Sequence, residues 1–360
     1  MYRGYLPRDL VKGSQGARSL SRLPATMISC FGSRSRRVNF CIQALKLLIE
    51  IKGKEFDIVT AGTETTFRHQ WASRKHDGCF IYLAAPDSAV AELFTQDIPF
   101  VVFNDSPMEI VRTLLNDGMD MLSAIRKSTE HLVKVQDLLL SNSAFVFSEK
   151  TFLLTLGELI SSVANHFKQK LTPLELGNVA KRLSRDKKLS ENSLFEDYFL
   201  SRNNGEQTAS LTKAQEELVE SCLDPLSRVS AIQPLSLTWP REVFLGSGNN
   251  PIKGPIELAG HARRFIHGPK LHLPKGEWIA TISFDVGNSD SGNILNIEIH
   301  SKIILTRKRY ILPSSGNFSS IIEFKNSEPS SPIEFRFLID GASTAGFFTL
   351  HNVSLVRASL

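Results

Sequence analysis

Three arginines stand close together in one short segment, Ser33-Arg34-Ser35-Arg36-Arg37. The segment follows an apolar stretch that ends at Phe31 and precedes an apolar stretch with helical spacing from Val38 to Leu48. A loop that leads into a helix presents backbone N–H groups and the positive end of the helix dipole, and both attract an anion. We therefore predict an anion-binding loop here. The alternative is a solvated surface that binds no ligand.

Two later segments follow this loop in the order Asp105 to Thr113 and then Phe147-Ser148-Glu149-Lys150. Together with Cys30 to Arg37, they resemble the motifs of the sulfotransferase family, which are P-loop proteins that use 3'-phosphoadenosine 5'-phosphosulfate (PAPS). The resemblance covers residues 25–188. It departs from the family in the loop, where Ser35 or Arg36 replaces a glycine, and at Asp105, where the family has a phosphate-binding arginine.

The resemblance implies a site as well as a fold. It makes Arg34 the group that stabilises the developing charge and His76 the base that removes a proton from the acceptor hydroxyl. The alternative for His76 is a loop histidine without a catalytic role. Five further residues are expected to hold the PAPS cofactor, with Thr113 in the place of a family serine: Ser33, Ser35, Arg36, Arg37 and Thr113. No metal site is expected, because no histidine or cysteine has metal-ligand spacing.

The composition is that of an ordinary globular protein, with 360 residues, 42% hydrophobic and 22% charged residues, and a net charge of +5. A charge of this size fits an anionic ligand without requiring nucleic acid, so no nucleic-acid partner is expected. No apolar run reaches the length of a membrane span. The four cysteines lie far apart, which favours reduced, buried thiols and a cytoplasmic location. No pattern indicates an oligomeric state.

The hydrophobic pattern divides the chain into four parts. We predict a disordered basic tail over residues 1–24, an α/β domain over 25–188, a linker with an outer helix over 189–235, and an all-β domain over 236–360. In the second part, short apolar runs alternate with helical stretches, which predicts a parallel α/β sheet. The resemblance to sulfotransferases implies that this sheet is of the P-loop type. The segment from Ile51 to Trp71 is predicted to be mixed and turn-like. In the last part, alternating runs separated by turns predict an antiparallel, jelly-roll-like β-sandwich.

The all-β part resembles the jelly-roll modules appended to bacterial glycan-acting proteins, through the stretch from Gly254 to Val286 and the final FFTLHNVSLVR. We predict that four of its side chains contact a carbohydrate: His261, Arg263, His267 and Trp278. The alternatives are that Trp278 is a core aromatic and that the polar residues form the outward face of an edge strand.

Two functional hypotheses follow. The first is a sulfotransferase-like protein that transfers a sulfuryl group from PAPS to a carbohydrate hydroxyl. The alternative is a catalytically inactive sulfotransferase-like protein whose β-sandwich binds a polysaccharide or a protein partner. The missing loop glycine and the charge reversal at Asp105 support the alternative. Under both hypotheses the partner is a carbohydrate or another anionic glycan, unless the sandwich binds a protein.

Overall fold

The computed structural model describes residues 26–60, 63–94, 98–184, 189–203, 209–228, 235–289 and 292–359. These residues form two compact units. The first lies within Met1–Thr113 and Lys134–Ala209, and the second within Leu114–Val133 and Ser210–Leu360. The predicted tail over residues 1–24 lies outside the described residues.

The first unit contains a parallel sheet of five strands in the order β2-β3-β1-β4-β5. The strands are β1 (Thr26–Phe31), β2 (Phe56–Val59), β3 (Gly78–Leu83), β4 (Phe100–Phe103) and β5 (Ala144–Phe147). Every residue of β3 and β4 is buried, as expected for strands covered on both faces. The predicted parallel α/β sheet is therefore confirmed, while its relation to P-loop proteins stays a prediction.

Nine α-helices are described in the two units. They are α1 (Arg36–Glu50), α2 (Glu64–Ala72), α3 (Ser88–Phe94), α4 (Pro107–Asn116), α5 (Met121–Leu139), α6 (Leu156–His166), α7 (Pro173–Leu183), α8 (Phe195–Asn203) and α9 (Lys213–Ser227). Helix α4 begins at Pro107, and α7 begins at Pro173 with a capping box between Thr172 and Glu175. In the first unit, apolar side chains from α1, α6, α7 and α8 cover one face of the sheet. Those of α2, α3 and the end of α5 cover the other.

The segment predicted to be turn-like, Ile51 to Trp71, instead contains β2 and α2. Strand β2 lies at the edge of the sheet and leaves the side chain of Ile58 half exposed, so its sequence has no continuous apolar run. Helix α2 buries only Phe67 and Trp71, whose rings stack with centroids 5.6 Å apart. One apolar contact per turn is too weak a pattern for a sequence-based assignment.

Strands β1 and β4 are neighbours whose connections leave in opposite directions. The chain passes from β1 through α1 to β2 at one edge, and from β4 through α4 and α5 to β5 at the other edge. Ligands of open α/β sheets bind where the strand order switches in this way, beyond the carboxyl ends of the strands. The loop from Gly32 to Ser35 lies at this point.

The second unit is a sandwich of two antiparallel sheets. One sheet has the order β13-β10-β15-β6, with β8 also paired to β15, and the other has the order β12-β11-β14-β9-β7. The strands are β6 (Ser236–Pro240), β7 (Leu245–Gly246), β8 (Ile256–Glu257), β9 (Arg263–Leu271), β10 (Gly276–Gly287), β11 (Ile294–His300), β12 (Ile304–Ile311), β13 (Gly316–Asn326), β14 (Ile333–Ile339) and β15 (Phe347–Ser359).

Aromatic side chains join the two sheets. The ring of Trp239 on β6 lies 5.9 Å from that of Phe335 on β14, and Phe337 on β14 lies 5.8 Å from Phe348 on β15. The predicted antiparallel β-sandwich is confirmed. The four cysteines are free and buried. Among the described residues, no helix combines the length and the apolar content that a membrane span requires.

Gly32, directly after β1, provides a test of the fold around the loop. We expect Gly32→Ala to lower the free energy of unfolding by about 2 to 4 kcal/mol. Its φ of +136° disfavours alanine, and a Cβ atom there would lie 2.5 Å from the carbonyl oxygen of Phe103. Urea denaturation followed by circular dichroism measures the change.

The matched control is Gly177→Ala in α7, where an added Cβ meets nothing within 4 Å. This substitution should raise the stability by about 0.5 to 1 kcal/mol, because alanine favours the helix interior. A Gly32→Ala variant as stable as the native protein would contradict the tight approach of β1 and β4.

Candidate functional site

The arginine loop lies at the carboxyl edge of the parallel sheet, between β1 and the start of α1. Ser33 and Ser35 are buried in it, whereas Arg34 is exposed. The neighbouring strand β3 stabilises the loop, because the Tyr82 hydroxyl donates a hydrogen bond of 3.0 Å to the carbonyl oxygen of Gly32. The structure therefore brings the predicted loop to the place where a parallel sheet binds ligands.

A carboxylate of the chain itself occupies the start of α1. The hydroxyl oxygen of Ser35 accepts a hydrogen bond of 2.9 Å from the backbone N–H of Val38, and the carboxyl group of Asp105 lies close by. Asp105 is only 8% exposed. Its Oδ1 accepts a hydrogen bond from the Ser106 N–H, while Oδ2 is buried with no hydrogen-bond partner among the described residues.

Burial raises the pKa of Asp105 above its usual value, and the neighbouring Ser35 hydroxyl, the Ser106 N–H and the charge of Arg37 only partly offset this effect. Arg37 is itself held by the protein, since its Nη2 lies 3.5 Å from Glu196 Oε1 and its guanidinium lies over the ring of Phe152. Arg37, Asp105 and Phe152 help to line a small cavity at this point. Its volume is about 10 Å³, which is room for roughly one water molecule. Binding of a nucleotide in this space requires Arg37 or its neighbours to move.

The structure does not bring His76 near Arg34. His76 precedes β3, whereas Arg34 follows β1, and the two strands are parallel neighbours. The two residues therefore lie at opposite ends of six-residue strands, about 20 Å apart along the strand direction. Nδ1 of His76 lies 3.2 Å from Glu55 Oε2. A single reaction centre formed by Arg34 and His76 is inconsistent with this placement.

The other residues predicted to hold PAPS also lie in different places. Arg36 and Arg37 begin α1 beside the loop. Thr113 lies six residues into α4, about 9 Å along the helix axis from its start. Its hydroxyl donates a hydrogen bond of 2.8 Å to the carbonyl oxygen of Glu109, so it serves its own helix.

In the sandwich, the four predicted carbohydrate contacts are separated. Trp278 is 1% exposed and donates to the carbonyl oxygen of Pro274, so the core interpretation is correct and sugar stacking is not. His267 is 5% exposed, with Nε2 3.0 Å from Asn249 Oδ1. His261 is exposed in the segment before β9. Only Arg263 lines an open groove.

This groove lies on the outer face of the β12-β11-β14-β9-β7 sheet and has a volume of about 570 Å³. None of the ten residues that line it is aromatic. We call it the arginine groove after the four arginines that line it together with two carboxylates: Arg263, Arg264, Arg307, Arg309, Glu298 and Asp340. The groove therefore carries two more positive charges than negative ones.

The pairing of the strands aligns the residues of the groove in rows. Across one row, Arg264 on β9 pairs with Leu338 on β14, which pairs with Asn296 on β11, which pairs with Arg309 on β12. The two terminal arginines are three strand spacings apart, about 14 Å. The next row has Arg336, Glu298 and Arg307 on β14, β11 and β12.

The sequence pointed to the arginines at the start of β9, Arg263 and Arg264, as part of a polar groove for an anionic sugar, but not to the residues of the other strands. Two signals were present: Asn296 and Glu298 alternate with apolar residues on β11, and Arg307 and Arg309 alternate on β12. Alternation shows that two residues share a face. It does not show which strands are neighbours, and that information was needed to join the two pairs.

Glu298 is the most constrained charged residue in the groove. It is 6% exposed, with Oε2 2.7 Å from Nε2 of His300 and Oε1 paired to the guanidinium of Arg307. Burial raises its pKa, but the hydrogen bonds from His300 and Arg307 outweigh burial, so the pKa lies below its usual value. Glu298 is therefore ionised at neutral pH.

Beside this pair, Glu334 on β14 is also nearly buried. Burial raises its pKa, and the hydrogen bonds and charge of Arg336 together with the charge of Lys270 lower it further than burial raises it. Burial and the charge of Arg264 lower the pKa of His267, with Glu334 acting in the opposite direction. At neutral pH the outer face thus holds two ionised glutamates and a neutral His267.

The arrangement favours binding over glycoside hydrolysis. Hydrolysis needs a protonated carboxyl group and a second carboxylate about 5 to 9.5 Å away. The pKa of Glu298 is lowered, which is the wrong direction for an acid. Asp340 is level with Ile294, four residues from Glu298 along β11 and thus about 13 Å away. In the described part of the chain, no group of three or more histidine, cysteine, aspartate or glutamate residues is placed to hold a metal ion.

Comparisons with known proteins give only distant similarities. No family model matches the sequence, and no curated protein matches it. An arabinose-bound α-L-arabinofuranosidase, MgGH51, is 14% identical with a TM-score of 0.24, and the match covers 37% of this chain and 23% of that enzyme. The module TmCBM61, in complex with β-1,4-galactotriose, is 10% identical with a TM-score of 0.23, over 34% of this chain and 88% of the module.

A third structure, the CBM36-1 domain of a multidomain xylanase from the hindgut metagenome of Trinervitermes trinervoides, is 12% identical with a TM-score of 0.24, over 35% of this chain and 99% of the domain. With TM-scores this low, these similarities establish neither a family nor an activity for this chain. The resemblance of the first unit to sulfotransferases likewise stays a prediction.

The buried carboxylate at the start of α1 gives a pH-dependent prediction. A raised native pKa means that the folded state binds more protons than the unfolded state between pH 3.8 and the native pKa, so the fold loses stability as the pH rises through this interval. We expect Asp105→Asn to be more stable than the native protein at pH 7 and to lose most of this advantage at pH 4. Urea midpoints at the two pH values measure this difference.

Asp77→Asn, at an exposed carboxylate of the same unit, controls for the loss of a negative charge. In Asp105→Asn, the new amide side chain keeps an oxygen for the Ser106 N–H, and the Ser35 hydroxyl oxygen has a second lone pair for the amide N–H. An equal gain at pH 4 and pH 7 would show that the carboxylate charge of Asp105 is not the cause.

Proposed function

We propose that the second unit binds an anionic glycan in the arginine groove and that the chain is not a sulfotransferase. The observation that carries the proposal is the groove itself, where four arginines and two carboxylates surround a space of about 570 Å³ on one sheet face. A space of this size lies within the range of sites for small ligands and short oligosaccharide segments.

The arginines make the groove suitable for an anion. A guanidinium group presents a planar set of donors that matches a carboxylate in two parallel hydrogen bonds. The side chain of Arg309 is 63% exposed and makes only a long contact of 3.8 Å with Asp340, so its donors remain accessible. Arg264 is exposed and makes no ion pair with a described residue. These groups are available to a ligand without first breaking a buried contact.

The other polar residues favour a carbohydrate over a simple anion. Asn296, Glu298 and Asp340 supply hydrogen-bond acceptors within the same groove, and Asn296 supplies donors as well. A simple anion uses only the donors. A sugar acid uses both, because its hydroxyl groups donate as well as accept.

The geometry of the first unit supports the non-catalytic part of the proposal. The start of α1 already has a buried carboxylate beside it, and a negative charge at that position repels the phosphate groups of a nucleotide. Arg34 and His76 lie at opposite ends of the neighbouring strands β1 and β3. This arrangement favours the alternative hypothesis, a sulfotransferase-like protein that has no transfer activity.

Charge removal tests the groove. We expect Arg264→Gln and Arg309→Gln each to weaken the binding of an acidic glycan about 5- to 20-fold, the loss of one charge-assisted hydrogen-bonded contact. Titration calorimetry of the full chain with chondroitin, chondroitin sulfate and heparin fragments measures the affinities. Arg241→Gln is the matched control, because it removes the same charge from the same unit outside the groove.

The proposal fails if none of these glycans binds, or if Arg241→Gln weakens binding as much as the groove variants do. A weakening that is equal for all three variants would indicate a general effect of net charge.

A second measurement addresses the first unit. We expect titration of the full chain with 3',5'-adenosine bisphosphate, the desulfonated product of PAPS, to give no binding at millimolar concentrations. Binding that is lost in Arg37→Gln would contradict the non-catalytic part of the proposal and would leave the groove unaffected.

A further inference from the structure

We propose that the arginine groove selects a uronic-acid glycan of low charge density, in which carboxylates alternate with uncharged, hydroxyl-bearing sugars, over densely sulfated glycans. This inference rests on the proposed function and adds the class of ligand. It depends on three features of the groove: where the available positive charges lie, what lies between them, and where the negative charges are fixed.

The available positive charges lie at the two ends of one row. Arg264 and Arg309 are about 14 Å apart across β9, β14, β11 and β12. Next to Arg264, the guanidinium of Arg263 donates only to the carbonyl oxygens of residues 257, 258 and 261, so its charge is not neutralised by these contacts. Arg309 has a long contact of 3.8 Å with Asp340. Anionic groups of a ligand therefore bind best at the ends.

The middle of the same row is uncharged. Leu338 and Asn296 lie between the two arginines, and both are partly accessible at the groove. An apolar side chain packs against the C–H face of a sugar ring, and an amide pairs with hydroxyl groups. A neutral sugar thus fits the middle of the row, where an anionic sugar would have no cation in register.

Negative charge is fixed in the neighbouring row. Glu298 is almost buried and cannot turn away, because both of its oxygens are held, one by His300 and the other by Arg307. Arg307 is thereby largely neutralised. Arg336, on the other side of Glu298, is paired with Glu334 in the same way. A sulfate placed over this row therefore finds no unpaired cation and competes with carboxylates that already hold both arginines. A hydroxyl group at the same place donates a hydrogen bond to Glu298 instead.

The rim adds a second negative charge. Asp340 is 52% exposed and lies beside Arg309, so it competes with the ligand for that arginine. A glycan with few charges needs Arg309 at only one point and satisfies Asp340 through a hydroxyl group. A polyanion with a charge on every sugar makes no additional contact with Arg309, and its extra charges are repelled by Asp340. Asp340 and the paired charges of the neighbouring row therefore act against dense polyanions.

The test compares ligands that share one backbone. Chondroitin alternates glucuronate with an uncharged amino sugar, and chondroitin 4-sulfate of the same length adds one sulfate per disaccharide. We expect the full chain to bind unsulfated chondroitin about tenfold more tightly than the sulfated form in titration calorimetry at matched ionic strength. Chondroitin whose carboxyl groups have been reduced to alcohols should lose at least tenfold in affinity.

Asp340→Asn tests the origin of the discrimination. It removes an exposed charge and should reduce the preference for the unsulfated glycan to about threefold or less. Glu298→Gln should do the same, but it opens a buried ion pair, so its folding must first be checked by circular dichroism; Asp340→Asn stands independently of that outcome.

The results separate this inference from the function on which it rests. Tighter binding of the sulfated form, or a preference unchanged in Asp340→Asn, would overturn the selection for low charge density and leave an anionic-glycan site in place. Failure of every acidic glycan to bind would overturn the proposed function itself.

Discussion

The ion pair between Glu298 and Arg307 organises the charged face of the sandwich. A nearly buried carboxylate would be strongly destabilising without its partners, and here both oxygens are satisfied by His300 and Arg307. Because Arg307 is used in this way, the arginines left for a ligand are those at the ends of the adjacent row, Arg264 and Arg309. The fixed position of Glu298 thus determines which arginines remain for an anion.

Most of the elements were predictable because their signals are local. A proline stands at the first position of both α4 and α7, and α7 also has a capping box. The continuous apolar runs of β3 and β4 are typical of strands covered on both faces. Strict alternation over β10 indicated a strand with one face in the core. Strand β2 and helix α2 were missed because an edge strand and a helix with two buried side chains leave little periodic signal.

The sites were harder to predict because they depend on pairing between distant segments. The groove joins Arg264 to Leu338 and Asn296 to Arg309, and the first pairing passes a register shift between Phe337 and Leu338. One residue of slippage would turn each of these side chains into the core. In the first unit the charge reversal at Asp105 was visible in the sequence. Its burial beside Ser35 was not, because it requires β1 and β4 to be neighbours.

The most direct measurement is a crystal structure of the full chain with an unsulfated chondroitin hexasaccharide. The account predicts that the sugar lies across β9, β14, β11 and β12, with glucuronate carboxylates within hydrogen-bond distance of the guanidinium groups of Arg264 and Arg309 and a neutral sugar over Leu338. A sugar bound to the outer face of the β13-β10-β15-β6 sheet, or beside the loop from Ser33 to Arg37, with no sugar in the arginine groove, would contradict it.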